Sequence, residues 1–311
     1  MSPIIGATLE GIFATVITPA IVRPPSGKMT RRTEENMQFN DKTAIITGGA
    51  TGIGLALAKQ MGSAGARIIL FEPREEVLRE AVDTLTAKGI DAKYFAGDVT
   101  DAHAVEALAT FAWAENGRGD IIVNNAGAGG PRGGLLDTDL AEARALYDVN
   151  FWGVWHGIQS FGKRYRADGL PAAIYTTASE NALFNALPSG GGAYVSGKHA
   201  VFGLMDVLRR EVGNKADMAN IELGVIIPGW VATPLSRNMG MDADTFAATI
   251  FAQMQAGAYY LVSHAYNVVR LHERLDELEA AYARYAPRYE GDEEFDVQLY
   301  LQRTAAAKNG G

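Results

Sequence analysis

The chain has 311 residues, enough for one large α/β domain or two small ones, and it carries a formal net charge of −8 with an isoelectric point near 5.2. This acidic balance, with no basic run, argues against a nucleic-acid-binding surface. The sequence has no cysteine, and its five histidines show no paired metal-ligand spacing. We therefore expect no disulfide, no thiolate nucleophile and no metal site, a composition that fits a cytoplasmic enzyme.

Residues 1–36 differ in character from the rest of the chain. Residues 4–22 are mostly apolar, but Glu10 and Pro19 interrupt them and no basic residue precedes them. They match neither a signal peptide nor a membrane-spanning helix, so we expect no contact with a membrane. A polar, proline-containing linker follows, after which Met37 would make a natural start for a domain. We expect an added arm that packs on the protein surface or on a partner subunit.

From residue 43 onward, short apolar segments alternate with helical segments. The predicted strands are residues 43–47, 67–71, 92–96, 121–123, 173–177, 221–227 and 258–263. The predicted helices include residues 73–88, 101–115, 138–161, 194–212 and 264–285. Repeated βα units predict a single Rossmann-type α/β domain over residues 37–263, with a doubly wound parallel sheet covered by helices on both faces. A helical extension is expected over residues 264–311.

A glycine-rich turn, TGGATGIG, joins the first predicted strand to the first helix. Gly48, Gly52 and Gly54 have no Cβ atom, so backbone N–H groups in this turn can approach a pyrophosphate closely. The positive end of the helix dipole then faces the anion, beside Thr51 and Ile53. The spacing indicates a dinucleotide-binding site, although by itself it also fits a tight turn with no ligand.

The residue that ends the second strand bears on the choice of cofactor. Glu72 lies about 20 residues beyond the glycine turn, where a carboxylate accepts both ribose hydroxyls of an adenosine and repels a 2′-phosphate. It could equally be a solvated acid at a helix start. Arg74 is opposing evidence, since it could attract that phosphate, whereas Thr51 in the turn is neutral. Together these residues favour NAD over NADP.

Polar and small residues follow the next two strands. Asp98, beside Val99 in the sequence GDV, could bind the adenine amino group, although it could also be a turn residue before a helix cap. The sequence NNAG follows the fourth strand and contains Asn125, Ala126 and Gly127. Small, hydrogen-bonding residues there suit a backbone that lies against the cofactor.

Tyr194 and Lys198 lie four residues apart and therefore share one face of a helix. A free tyrosine ionises at about pH 10 and is a poor base at neutral pH. A neighbouring ammonium, together with a positively charged nicotinamide, would lower its pKa. Ser179, at the end of the fifth strand, can hold a carbonyl or hydroxyl oxygen, and Asn150 could anchor a water to the lysine. A Tyr-xxx-Lys pair alone is also a common contact on a helix surface.

Taken together, these features resemble the short-chain dehydrogenase/reductase family over about residues 40–263. The resemblance rests on the order and spacing of TGGATGIG, Glu72, GDV, NNAG, Asn150, Ser179, YVSGK and PGWVAT. It implies a seven-stranded parallel sheet and a nicotinamide cofactor. It also implies a catalytic set of four residues, namely Asn150, Ser179, Tyr194 and Lys198. Further cofactor contacts are implied from Tyr194, Lys198, Pro228, Gly229, Val231 and Thr233, with Thr233 at the carboxamide.

The sequence departs from the family pattern in two places. Ala178 stands where the family usually has a second serine, and the loop between Ser179 and Tyr194 is longer than usual. The C-terminal part, with YYLVSH and a long charged helix, is similar to that of bacterial dehydrogenases that oxidise benzylic alcohols in lignin-derived aryl ethers.

The substrate pocket is expected in segments 128–135, 180–188 and 230–257. Phe184, Trp230 and Leu235 would supply apolar walls, unless they simply cover the core, and Glu180 and Asn181 would add a polar end. These residues favour a bulky, partly aromatic or alicyclic secondary alcohol or the corresponding ketone.

The sequence therefore predicts an NAD-dependent oxidoreductase that interconverts a secondary alcohol and a ketone. Two alternatives stay open: an NADP-dependent ketoreductase, and a non-catalytic nucleotide-binding regulator on the same fold. The complete catalytic set favours an enzyme. The resemblance implies a homodimer or homotetramer, because the family's subunit contacts involve the helices that here contain residues 150–161 and 194–210. Phe151, Trp152 and Trp155 would be exposed there, although the rings could instead pack on the sheet.

Overall fold

We analysed a computed structural model, which describes residues 38–309 apart from residues 132, 188 and 189. The predicted arm over residues 1–36 and the proposed start at Met37 lie outside the described residues.

Seven strands form one parallel sheet. They are β1 (Thr43–Thr47), β2 (Arg67–Glu72), β3 (Ala92–Ala96), β4 (Ile121–Asn124), β5 (Ala172–Thr177), β6 (Ile221–Ile227) and β7 (Tyr260–Val262). Their spatial order is β3-β2-β1-β4-β5-β6-β7, and every neighbouring pair is parallel. The predicted Rossmann-type fold is therefore confirmed. The strand order reverses between β1 and β4. In such sheets, ligands bind in the crevice at the carboxyl ends of the two strands where the order reverses.

Nine α-helices are found in the described residues. They are α1 (Gly52–Ser63), α2 (Glu75–Thr86), α3 (Ala102–Asn116), α4 (Leu140–Tyr147), α5 (Gly153–Asp168), α6 (Gly192–Asn214), α7 (Ala243–Gln255), α8 (Asn267–Tyr285) and α9 (Val297–Asn309). None of the helices in this part of the chain is long and apolar enough to cross a membrane.

Side chains of each strand alternate between two hydrophobic cores, one on each face of the sheet. Ile46 points into the core that α1, α2 and α7 cover, and Ile45 points into the core that α3, α5 and α6 cover. Strands that are buried on both faces read as continuous apolar runs, which is why the sequence identified them well.

Helix α7 was not among the predicted helices. It buries Phe246, Ile250 and Met254, which lie four residues apart, against the same core as α1. Asp242 caps its first turn by accepting a hydrogen bond from the Thr245 N–H group at 2.8 Å. The segment had been assigned to the substrate pocket, although the capping aspartate and the four-residue spacing both indicate a helix.

The helix predicted over residues 138–161 is interrupted, which corrects that prediction. A π-helical turn over Asp148–Trp152 separates α4 from α5. Beyond it, Gly157 lets α5 lie directly against the end of β4, since a Cβ atom there would lie 1.9 Å from Oδ1 of Asn124. Such turns insert one residue into a helix and re-aim its side chains, and they are frequent at functional sites. Here the turn contains Asn150.

Candidate active site

The glycine turn forms a cradle at the start of α1. Gly48 and Gly52 have φ values of 59° and 52°, which side chains with a Cβ atom rarely adopt. A Cβ atom on Gly48 would lie 2.8 Å from Cα of Ala126, and one on Gly54 would lie 2.3 Å from the carbonyl oxygen of Gly48. The side chain of Thr51, at the N-cap of α1, makes no capping hydrogen bond. The first N–H groups of this helix are thus not satisfied by that side chain, which suits a pyrophosphate.

The carboxyl ends of β1, β4 and β5 are tied together beside this turn. The Thr47 hydroxyl accepts hydrogen bonds from the backbone N–H groups of Asn125 and Ala126 at 2.9 and 3.0 Å. The Asn125 amide donates to the carbonyl oxygens of Thr47 and Gly48 at 3.1 and 3.2 Å. Its oxygen accepts from the Thr177 hydroxyl at 3.2 Å. Asn125 therefore joins three strands.

Glu72 and Arg74 form an ion pair at the end of β2. The Arg74 Nε group donates to Glu72 Oε1, and the carboxylate is only 5% exposed. Both residues line the cleft. Because the glutamate already partners the guanidinium, the arginine's attraction for a 2′-phosphate is reduced.

Lys198 is buried on α6, with 3% of its surface exposed. Its Nζ group donates to the carbonyl oxygen of Thr177 at 2.9 Å. Burial disfavours the charged ammonium and lowers the pKa of Lys198 to about 8. Lys198 therefore lies within reach of titration in an ordinary enzyme assay.

Tyr194 lies one helical turn before Lys198, whose Nζ atom is 5.8 Å from the centre of the tyrosine ring. Burial raises the pKa of the Tyr194 phenol, a hydrogen bond with Ser179 lowers it, and the negative charge of Glu180 raises it. The net direction is upward, so the protein's own groups keep the phenol protonated. A cationic group in the cleft beside the ring would oppose this effect.

Asn150 is fully buried, and its side chain is occupied. Its Oδ1 accepts from the N–H group of Ala128 at 2.8 Å, and its Nδ2 donates to the Ala128 carbonyl at 3.0 Å. A Cβ atom on Gly127 would lie 3.3 Å from Asn150 Oδ1 and 3.8 Å from Lys198 Nζ. Asn150 and Lys198 thus flank Gly127, but the Asn150 side chain shapes the loop after β4 instead of pointing toward the lysine.

Asn181 orients the Ser179 hydroxyl. Ser179 Oγ accepts a hydrogen bond from the Asn181 backbone N–H at 3.1 Å and a weaker one from its side-chain Nδ2 at 3.4 Å. Asn181 Oδ1 accepts from the Ala186 N–H group at 3.1 Å. With both acceptor sites of Oγ in use, the serine is left to donate its own proton. Asn181 lines the cleft, but its side chain is engaged by the protein.

One cleft of about 1150 Å³ brings most of the predicted residues together. Those that line it are Gly48, Thr51, Gly52, Ile53, Glu72, Asn125, Gly127, Ser179, Glu180, Asn181, Tyr194, Lys198, Pro228, Gly229, Trp230, Val231, Thr233 and Leu235. Residues that the sequence did not single out also line it, including Thr177, Gly190 and Gly191. Thr177 had a detectable signal, since it is a polar residue at the end of a strand.

Some predicted residues do not line the cleft. Phe184 lies in a second cavity of about 510 Å³, with His199 and Arg274. Asp98 accepts a hydrogen bond from the Thr100 N–H group at 2.9 Å, as a turn residue does. Val99 packs against Gly153. The other three residues contact segments of the cleft wall without lining the cleft themselves. They are Gly54, Ala126 and Asn150.

The cleft fits a nicotinamide dinucleotide. The glycine cradle and the open helix end suit the pyrophosphate, and Glu72 suits the adenosine ribose. The segment Pro228–Thr233 faces the cradle, where a Cβ atom on Gly52 would lie 2.9 Å from Cγ2 of Thr233. The described residues contain no group of three acidic or histidine side chains that could hold a metal ion.

The chain belongs to the short-chain dehydrogenase family, since residues 42–244 match the family model described as short chain dehydrogenase. It is therefore an oxidoreductase that acts on hydroxyl groups. A related protein is the 1-deoxy-11-beta-hydroxypentalenate dehydrogenase of Streptomyces avermitilis, which is 31% identical over 253 residues, covering 78% of this chain and 92% of the relative.

Solved structures of the family resemble the fold closely. A short-chain dehydrogenase/reductase from Burkholderia phymatum in complex with NAD is 26% identical, with a TM-score of 0.73 over 79% of this chain and 96% of its own. A metagenomic short-chain oxidoreductase in complex with NADP is 28% identical, with a TM-score of 0.61 over 70% and 92%. The family therefore accommodates either cofactor.

A third solved structure also resembles the chain. The apo form of LigD from Sphingobium sp. strain SYK-6 is 27% identical, with a TM-score of 0.69 over 80% of this chain and 100% of its own.

Burial of Lys198 should make stability depend on pH. The lowered pKa means that the folded state loses its proton near pH 8 and the unfolded state near 10.5. Below pH 8 both states are protonated and the full cost of burying the ammonium, about 3 kcal/mol, is present; it disappears as pH rises through this window. Lys198→Met removes this cost, so the variant should gain stability over the wild type at pH 7. At pH 10 most of that gain should be absent, because the wild-type lysine is then neutral in the folded state.

Urea unfolding at the two pH values measures this difference. The exposed Lys88→Met variant is the control and should show no comparable change between them. An equal change in unfolding free energy at both pH values would show that burial does not lower the pKa of this lysine.

Proposed function

We propose that the protein is an NAD-preferring dehydrogenase that interconverts a bulky secondary alcohol and its ketone. The observation that carries the proposal is the grouping of Ser179, Tyr194 and Lys198 in one cleft with the glycine cradle. A nicotinamide bound in this cleft would accept a hydride from the alcohol carbon or return it to the ketone.

Tyr194 would exchange the proton at the substrate oxygen. During oxidation its phenolate takes the hydroxyl proton, and during reduction its phenol returns it to the carbonyl oxygen. Ser179 would hold the same oxygen, because Asn181 already fills its acceptor sites and leaves its proton to donate. Lys198, fixed on the Thr177 carbonyl, would stabilise the phenolate and hold the nicotinamide ribose.

Thr233 would contact the carboxamide, from the segment that faces the cradle. The role of Asn150 is best described as positioning: through Ala128 it fixes the loop that follows β4, beside Lys198. A regulator without catalysis would not need the buried Lys198, whose burial has a cost in stability. That cost favours an enzyme over the regulator.

The cleft walls support a bulky and mainly apolar substrate. Leu187, Trp230 and Leu235 are 36%, 57% and 54% exposed, and all three line the cleft. Exposed apolar side chains on a cleft wall suit an apolar ligand. The named substrate of the Streptomyces avermitilis relative, a hydroxypentalenate, is also an alcohol. We accordingly favour an alicyclic or partly aromatic alcohol, with residues 37–263 as the catalytic domain and residues 264–311 as an extension.

The cofactor preference should be measurable as a difference in affinity. NAD should bind at least about tenfold more tightly than NADP, because Glu72 repels a 2′-phosphate and neutralises Arg74. Glu72→Ala should weaken NAD binding and narrow the difference, since it removes the repulsion and frees the arginine. Fluorescence titration of the wild type and of Glu72→Ala with each cofactor gives the four dissociation constants. The control, Glu76→Ala, removes an exposed carboxylate from the first turn of α2, close in sequence to Glu72. It should change the affinity for neither cofactor. Equal or tighter binding of NADP by the wild type would overturn the preference.

The proton-transfer role of Tyr194 should appear in turnover. Tyr194→Phe should lower kcat by about 10²–10⁴-fold, the usual contribution of general acid–base catalysis. NAD affinity should stay nearly intact, because the cradle and Glu72 are unchanged. Oxidation by the wild type should rise with pH as the phenol ionises. Tyr282→Phe, on the exposed face of α8, is the control. Near-normal turnover by Tyr194→Phe would show that Tyr194 is not the proton-transfer group.

We further propose a homodimer or homotetramer built on α5. Phe151, Trp152 and Trp155 form a cluster with ring centres 5.1 to 5.7 Å apart, and Trp152 is 45% exposed. The cluster lies at the surface, where aromatic rings favour subunit contacts. Trp152→Glu should therefore lower the molecular mass measured by light scattering, while Trp113→Phe, at a partly buried ring that packs against the core, should not. A wild-type monomer at micromolar concentration would contradict this assembly.

A further inference from the structure

The side chain of Glu180 lies in the cleft directly after Ser179. Its backbone is held on both sides: the N–H group donates to the Pro228 carbonyl at 2.8 Å, and its own carbonyl accepts from the Leu183 N–H at 2.9 Å. The residue opens a short 3-10 turn, Glu180–Ala182, and its side chain is partly buried. The backbone of Glu180 is thus fixed next to the serine that would hold the substrate oxygen, and its side chain lines the same cleft.

This carboxylate has no hydrogen bond or ion pair with any residue between 38 and 309 that the structure describes. Among the described residues, two cations line the cleft with it, and both are engaged elsewhere: Arg74 by Glu72, and Lys198 by the Thr177 carbonyl. A partly buried charge without a partner reduces stability. A ligand group that donates a hydrogen bond would relieve that cost.

The negative charge also reaches the reacting position. Burial is the main cause that raises the pKa of the Tyr194 phenol, and the negative charge of Glu180 acts on the phenol in the same direction. A group that is electrostatically coupled to the phenol is also coupled to a substrate whose oxygen contacts that phenol.

The other described residues near the expected substrate position offer few free polar groups that could bind a substrate. Leu187, Trp230 and Leu235 are apolar. Asn181, the other polar residue expected to contact substrate, uses its side chain on Ser179 and Ala186. Glu180 is therefore the ionised group of the described lining that remains available to a substrate near the reacting carbon.

We propose that Glu180 selects alcohols and ketones that carry a hydrogen-bond donor, a hydroxyl or an ammonium group, close to the reacting carbon, and rejects those with a carboxylate there. This inference rests on the proposed function, since it concerns the substrate of the same site. The donor binds the free carboxylate, while the apolar walls hold the remainder of the molecule.

The test compares cyclohexanol with three analogues that carry an ammonium, a hydroxyl or a carboxylate group on the neighbouring ring carbon. Values of kcat/KM are measured at neutral pH with saturating NAD, for the wild type, for Glu180→Gln and for Glu142→Gln. Glutamine keeps the size and removes the charge. Glu142 is an exposed carboxylate on α4 and serves as the matched control.

In the wild type, the ammonium and hydroxyl analogues should be preferred over cyclohexanol and the carboxylate analogue disfavoured. In Glu180→Gln the preference for the ammonium analogue should fall about tenfold or more, the contribution of a charge-assisted hydrogen bond. The relative rate of the carboxylate analogue should rise by a similar factor. Glu142→Gln should retain the wild-type ratios.

The ratios separate selection from a structural effect. If Glu180 only supported the turn after Ser179, Glu180→Gln would slow all four alcohols equally, and unchanged ratios would overturn the inference while leaving the dehydrogenase function in place. If the wild type oxidised none of the four alcohols, with NAD or NADP, the proposed function itself would be wrong and the inference would fall with it.

Discussion

The structure depends on the hydrogen bonds that join the carboxyl ends of β1, β4 and β5 at Asn125. Parallel strands that separate at a change of strand order leave unpaired backbone groups at their ends, and such groups must be satisfied when they are buried. Thr47 and the Asn125 amide satisfy them on one side. The Thr177 hydroxyl reaches Asn125 from the other side. The opening for a ligand can therefore exist without loosening the sheet.

The same hydrogen bonds couple the glycine cradle to the end of the cleft that contains Lys198. Gly48 follows Thr47 and forms the cradle, while the carbonyl of Thr177 holds the Lys198 ammonium. The lysine is buried at a cost that lowers its pKa to about 8. A charge held in a dry site interacts more strongly with a neighbouring phenol than a solvated one would. The stability lost on burying the lysine is thus tied to the chemistry that the site can perform.

The sequence identified the strands and most of the residues around the cleft, because a buried parallel strand is a continuous apolar run and many of the lining residues follow strand ends. It did not identify features that depend on tertiary contacts. The π-helical turn at Asn150 is set by packing between α4, α6 and the loop after β4. Nothing local in the sequence shows that the side chain of Asn181, which lines the cleft as expected, also bonds to Ser179 and Ala186. Phe184 lines a second cavity instead of the cleft.

The position of Phe184 follows from the C-terminal helix. Arg274 of α8 donates to the Leu183 carbonyl at 2.7 Å and contacts His199 Nε2 at 2.8 Å. Because a guanidinium only donates, His199 Nε2 must accept, and its Nδ1 carries the proton that faces the Val195 carbonyl at 2.9 Å. The loop after Ser179 is thus held from the cleft side by Asn181 and from behind by α8. A pocket wall supported in this way takes its shape partly from residues that never touch the substrate, so relatives with a different C-terminal segment will present a different wall.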